Sequence, residues 1–170
     1  MSRSFKSSLL ALVAGAFMTS QTALAHEVNA STVKIAIDGA RLEILQTTPL
    51  GAARSIAHSL SGDKTDAADE EGLLKAISKG WSVAAGAENC DLSRQAFRRV
   101  HHDQELQMRY LFECQSGSAP TTLSASWLEH ASKDHFLIFT LSHRKNSKTV
   151  IFQRQALSID ISAFAEDQAS

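Results

Sequence analysis

The sequence predicts a mainly β, α+β domain. The expected form is an antiparallel β-sandwich or partial barrel, with a helical pair between an N-terminal hairpin and a C-terminal meander. Three observations lead there. Apolar and polar residues alternate from Thr32 to Asp38 and again from Gln104 to Cys114, the period-two signature of strands with one buried face. Helical spacing is confined to one block, between Leu50 and Lys79. After Asn89 the pattern is that of strands with short connections, which favours antiparallel neighbours.

The elements follow in order. Val33, Ile35 and Ile37 share one side of a first strand, Asp38-Gly39 signals a turn, and a second strand over 41–48 carries Leu42 and Ile44. Pro49 ends this hairpin. Ala53, Ile56, Ala57 and Leu60 then recur at helical spacing, and Ser61-Gly62-Asp63-Lys64 breaks the helix. A second helix is expected over 66–79. Acids fill its first turn, Lys75 and Lys79 sit near its end, Leu73, Leu74 and Ile77 form its buried stripe, and Gly80 is placed to stop it. Further strands are expected over 92–100, 104–114, 121–128, 135–142, 148–153 and 157–161, with Arg144-Lys145-Asn146-Ser147 as a polar hairpin turn and a frayed tail over 166–170.

Residues 1–25 read as a cleavable signal peptide. Arg3 and Lys6 supply the basic start, an apolar run extends from Leu9 to Met18, and Ala23-Leu24-Ala25 is a small-residue cleavage site. The run is shorter than the roughly 20 residues a membrane span needs, which weighs against an uncleaved anchor. Cleavage leaves a single exported β-rich domain over 26–165 and the tail, with 15 basic and 18 acidic residues. That balance gives no reason to expect nucleic acid or an anionic membrane as partner. A soluble periplasmic protein is the expectation.

Cys90 and Cys114 are the two cysteines, and an even count in an exported chain favours a disulfide. Closing a loop of that size is worth about 3 kcal/mol in the chain-entropy view. Cys114 continues the inward face of Leu106, Met108, Tyr110 and Phe112. The alternative is a pair of free thiols serving as metal ligands or a redox couple, without the CxxC spacing such sites commonly have.

Seven histidines are the main chemical oddity. His26, first after the cleavage site, would offer an α-amine and an imidazole to one metal ion, and one more His would complete a three-nitrogen site. His101 and His102 fall in the turn between two strands, and His130 and His135 bracket another loop. If these two turns share one end of the sheet they could gather metal ligands; solvated turns are the plainer reading. His143 sits at a strand end and His58 on an exposed helix flank. Enzyme chemistry finds no support: there is no G-x-S-x-G nucleophile context, no G-x-G-x-x-G and no Walker A pattern. Trp81 and Trp127 read as core anchors in preference to a ligand groove.

The order VKIAIDGARLEI, Pro49, a helical stretch, ENCDL, YLFEC and a run of strands ending near LSIDI resembles the ZrgA-like family of periplasmic proteins associated with zinc uptake. The resemblance spans residues 33–161 and rests on Leu42, Glu43, Ile44, Pro49, Cys90, Tyr110, Phe112 and Cys114. Members of that family usually begin with a His-x-His-Gly-like segment. Here the start is His26-Glu27-Val28-Asn29, so only His26 carries over as a ligand. The segment SWLEHASKDHFLIFTLSHRKNSKTVIF is also similar in layout to the extracytoplasmic domain of HupE/UreJ-type permeases. Both resemblances imply a non-enzymatic accessory domain assisting transition-metal uptake or homeostasis. Zinc is foremost, with Cu, Ni or Co as alternatives, His26, His101, His102, His130 and His135 are the candidate ligands, and an inner-membrane metal permease is the implied partner. The other reading is an interaction module that docks an envelope partner without binding metal itself.

Overall fold

The computed structural model describes residues 29–62, 69–143, 146–153 and 157–165. The predicted leader, His26 and the tail from Glu166 lie outside these residues. β1 (Ala30–Asp38) and β2 (Arg41–Pro49) form the expected hairpin, in register from Asp38↔Arg41 to Thr32↔Thr47. Gly39 holds φ 56° in its turn, the left-handed value that tight hairpin turns require and that glycine adopts without a Cβ clash.

α1 (Leu50–Ser61) follows directly and buries Ala53, Ile56 and Ala57; α2 (Glu70–Ser78) buries Leu73, Leu74 and Ile77. Asp69 caps α2, its carboxylate accepting the Gly72 amide at 2.8 Å. Gly80 serves proximity, not a left-handed helix stop: a Cβ there would lie 2.6 Å from that of Trp127.

Two short strands that the sequence reading omitted come next, β3 (Trp81–Ala85) and β4 (Glu88–Asn89). They are followed by β5 (Asp91–Val100), β6 (Glu105–Glu113), β7 (Thr122–Ala125), a 3-10 helix (Ser126–His130), β8 (Phe136–His143), β9 (Asn146–Gln153), β10 (Leu157–Asp160) and α3 (Ser162–Ala165). The strand expected over 121–128 stops at Ala125 because Ser126 turns away, its amide donating to the Gly80 carbonyl at 2.8 Å.

Among the described residues the fold is mainly β, with two sheets in a sandwich-like α+β arrangement and no closed barrel. The large sheet has the order β5-β6-β2-β1-β8-β9 and the small one β10-β7-β3-β4. The C-terminal strands do not form the expected meander. β8 pairs in parallel with β1, from Ala30↔Phe136 to Ile35↔Leu141, while β7 and β10 cross to the small sheet. Alternation tells which face of a strand is buried; it does not name the neighbour, and here the neighbour lies about a hundred residues away.

One apolar core lies between the layers. Val33, Ile35, Leu42, Ile44, Leu106, Met108, Tyr110, Leu137 and Phe139 face it from the large sheet; Ile56, Leu73, Ile77, Trp81, Leu123 and Trp127 meet them. Both tryptophans are core anchors, packed edge to face with ring centroids 5.7 Å apart. The opposite face of the large sheet is open. Cys90 and Cys114 form a disulfide where the chain enters β5 from β4 and leaves β6 for β7. Such a bond suits an oxidising, exported location. Among the described residues no helix is long and apolar enough to cross a membrane.

Candidate functional site

Register brings the histidine turns to one end of the large sheet. Ala30 and Phe136 start β1 and β8 side by side, Thr32 lies across from Thr47 near the end of β2, and Val100↔Glu105 closes β5 onto β6. The sheet order nevertheless puts β1 and β2 between β8 and the β5–β6 turn. Three strand spacings separate β6 from β8, roughly 14 Å, too far for side chains to share one ion.

The four described candidate histidines lie in three different settings. His101 is exposed with Nε2 3.5 Å from Glu105 Oε2, and His102 beside it is exposed as well. His130 Nδ1 bonds Ser59 Oγ at 3.0 Å. His135 is buried, at 1% exposure. Among the described residues no group of three or more His, Cys, Asp or Glu side chains is placed to hold a metal ion. His101 and His102 share a turn, His130 and His135 stand apart from them, and His26 lies outside the described residues.

The turn itself is unusual. His101, His102 and Asp103 hold φ 51°, 58° and 65° in succession, and Gln104 closes the turn by donating its amide to the His101 carbonyl at 3.3 Å. A left-handed residue with a side chain costs about 1–2 kcal/mol. The Gln104 carbonyl accepts the Leu50 amide at 2.8 Å, which fixes the turn to the start of α1.

His135 belongs to a buried polar chain that the sequence reading missed. Trp81 Nε1 donates to Gln46 Oε1 at 3.0 Å, and Gln46 Nε2 donates to Thr48 Oγ1 at 3.0 Å. Thr48 and Ser31 hydroxyls lie 2.8 Å apart, Ser31 Oγ is 2.9 Å from His135 Nε2, and His135 Nδ1 is 2.7 Å from Asn29 Oδ1. Asn29 Nδ2 donates to Ser132 Oγ at 2.5 Å. One direction satisfies every group. An indole N–H only donates, so Gln46 must accept through its oxygen and donate through its nitrogen. Thr48 then donates to Ser31, and Ser31 to His135 Nε2. The imidazole carries its proton on Nδ1 and gives it to Asn29. Burial lowers the His135 pKa below its ordinary value, which favours this neutral form. The missed signal was polar residues at inward positions: Ser31 keeps step with Val33 and Ile35, and Gln46 and Thr48 keep step with Leu42 and Ile44.

The open face of the large sheet holds a groove. Two adjoining depressions, about 380 and 330 Å³, share Leu45 and Gln107. Glu43, Ala96, Arg98 and Arg109 line one; Ala30, Thr32, Lys34, His101 and Glu105 line the other. Of the carboxylates that line the groove, Glu43 is paired with Arg109 at 2.6 Å, and Glu105 Oε2 lies 3.5 Å from His101 Nε2. Lys34, Arg94 and Arg98 meet no carboxylate among the described residues, and Arg98 Nε donates to Gln107 Oε1 at 2.7 Å. The groove is therefore locally cationic in a chain of net charge −1. No protein-family model matches the chain, and no curated protein matches it.

Proposed function

We propose that the protein is a non-enzymatic accessory domain of the cell envelope that binds a protein partner through the open groove of its large sheet. The partner would present an acidic segment with an apolar side chain. The observation that supports this is the composition of the groove: Leu45 and Ala96 line it, with Lys34 and Arg98 left unmatched beside Glu43, whose carboxylate Arg109 already holds. Complementary charge sets orientation and encounter rate, while the apolar lining rewards exclusion of water. The test places a photo-crosslinking residue at Leu45 in the intact envelope, with the same probe at exposed Ser158 as control. A discrete adduct is expected at Leu45 alone, weakened by salt and lost in a Lys34→Glu/Arg98→Glu chain. An adduct that survives both charge reversals, or none at all, overturns the reading.

A second reading is transition-metal handling in the periplasm, zinc foremost. It is favoured by the rim of the same groove, where His101 and Glu105 stand 3.5 Å apart with His102 adjacent. Imidazole and carboxylate are both zinc ligands, and the amine and imidazole of a processed His26 would add two more. Calorimetric titration of the processed protein with Zn, Cu, Ni and Co tests it. Binding weaker than millimolar for all four removes this reading and leaves the partner groove standing.

A further inference from the structure

The buried chain of hydrogen bonds joins four parts of the fold that are distant in sequence. Asn29 immediately precedes β1 and Ser31 lies at its start, Gln46 and Thr48 belong to the end of β2, Ser132 and His135 to the loop that enters β8, and Trp81 to the start of β3. It crosses the β1–β8 contact, the parallel pairing of the large sheet. Ser31, His135 and Asn29 have the order of a nucleophile relay. Yet Ser31 is 0% exposed and its oxygen accepts the Thr48 hydroxyl, so it is not presented to a substrate.

We propose that this chain is a proton-sensitive latch: with His135 neutral it holds the amino-terminal end of β1 between β2 and β8, and a proton on His135 releases that end. The proposal goes beyond the groove reading and does not depend on it. The reason lies in donor counting. A protonated imidazole donates from both nitrogens. Nε2–H would face Ser31, whose own hydroxyl proton then loses its acceptor. Passing that proton back to Thr48 only moves the vacancy one step: Thr48 already accepts from Gln46 Nε2, which Trp81 orients, and its own proton would then lose Ser31 as acceptor. A charge and an unpaired hydroxyl would both be buried, and opening the strand end to water relieves both.

Neighbouring charges do not offset this. The titratable groups on the segments against His135 are Glu129 and His130 of the 3-10 helix and Lys133 and Asp134 of the loop; Glu129, Lys133 and Asp134 are exposed, and His130 bonds Ser59. Trp127 covers the ring edge to face, with centroids 6.3 Å apart. β1 and β2 direct Lys34, Asp38, Arg41 and Glu43 away from the core.

Nitrogen NMR of His135 in the wild-type protein tests the donor order directly. At pH 7.5 the proton is expected on Nδ1; a proton on Nε2 overturns the proposal. Amide exchange tests release. Corrected for intrinsic rates, protection at residues 31–33 and 136–138 is expected to fall at least tenfold more than at 106–112 between pH 7 and pH 5. A uniform fall, or no fall while His135 titrates, overturns it. In His135→Gln the pH-dependent loss should disappear. If that chain does not fold, the two wild-type measurements decide alone.

Discussion

Gly80 and Trp127 touch so closely that a Cβ on the glycine would meet the tryptophan Cβ at 2.6 Å and its backbone nitrogen at 2.8 Å. The contact is backbone against backbone-proximal atoms, so no rotamer change relieves it. Gly80→Ala is expected to destabilise the protein by about 3 kcal/mol, the upper part of the overpacking range, in urea unfolding. Gly51→Ala, where nothing lies within 4 Å of the new methyl, should leave the midpoint at or slightly above wild type.

Reduction of Cys90–Cys114, or replacement of both by Ser, is expected to lower stability by about 3 kcal/mol. Both positions are buried, so double Ala replacement is the better control for the polarity of Ser. Denaturant midpoints with and without reductant on the wild type measure the same quantity.

The pH dependence has a definite sign. The folded His135 pKa lies below its unfolded value of 6.5. Above pH 6.5 both states hold the neutral ring and stability is unaffected. As pH falls below 6.5 the unfolded chain gains a proton that the folded one resists, so stability declines until the folded pKa is passed. Thermal unfolding from pH 8 to pH 5 should show this decline in wild type and a shallower one in His135→Gln.

Asp69→Ala removes the carboxylate that accepts the Gly72 amide at the start of α2. A loss of about 1 kcal/mol is expected, against almost none for Glu71→Ala on the exposed side of the same turn. Chemical denaturation of the two variants separates capping from general charge effects.

The sequence revealed faces better than partners. The hairpin β1–β2, helices α1 and α2, and the inward row from Leu106 to Cys114 follow from spacing, since each is decided within a few residues. The β1–β8 pairing and the split of β7 and β10 into another sheet are decided by which buried faces fit together, and Val33 or Leu123 carries no mark of that choice. The same limit governed the candidate site. His101 and His102 were legible as a turn, but their distance from His135 depends on two intervening strands. Ser31, Gln46 and Thr48 could have been found as polar residues standing in apolar register. Their mutual contacts across β1 and β2 required the hairpin register as well.

The placement of the disulfide has a consequence for cleavage. β5 is exposed along almost its whole length and carries Arg94, Arg98 and Arg99, three trypsin sites. Cys90 and Cys114, 24 positions apart, bracket that strand and its partner β6. A protease that nicks the chain at Arg98 therefore frees no fragment: the two pieces remain one covalent molecule, and β6 stays tethered at its base to the rest of the sheet. On a gel the nicked protein runs whole until a reductant is added, and then as two bands.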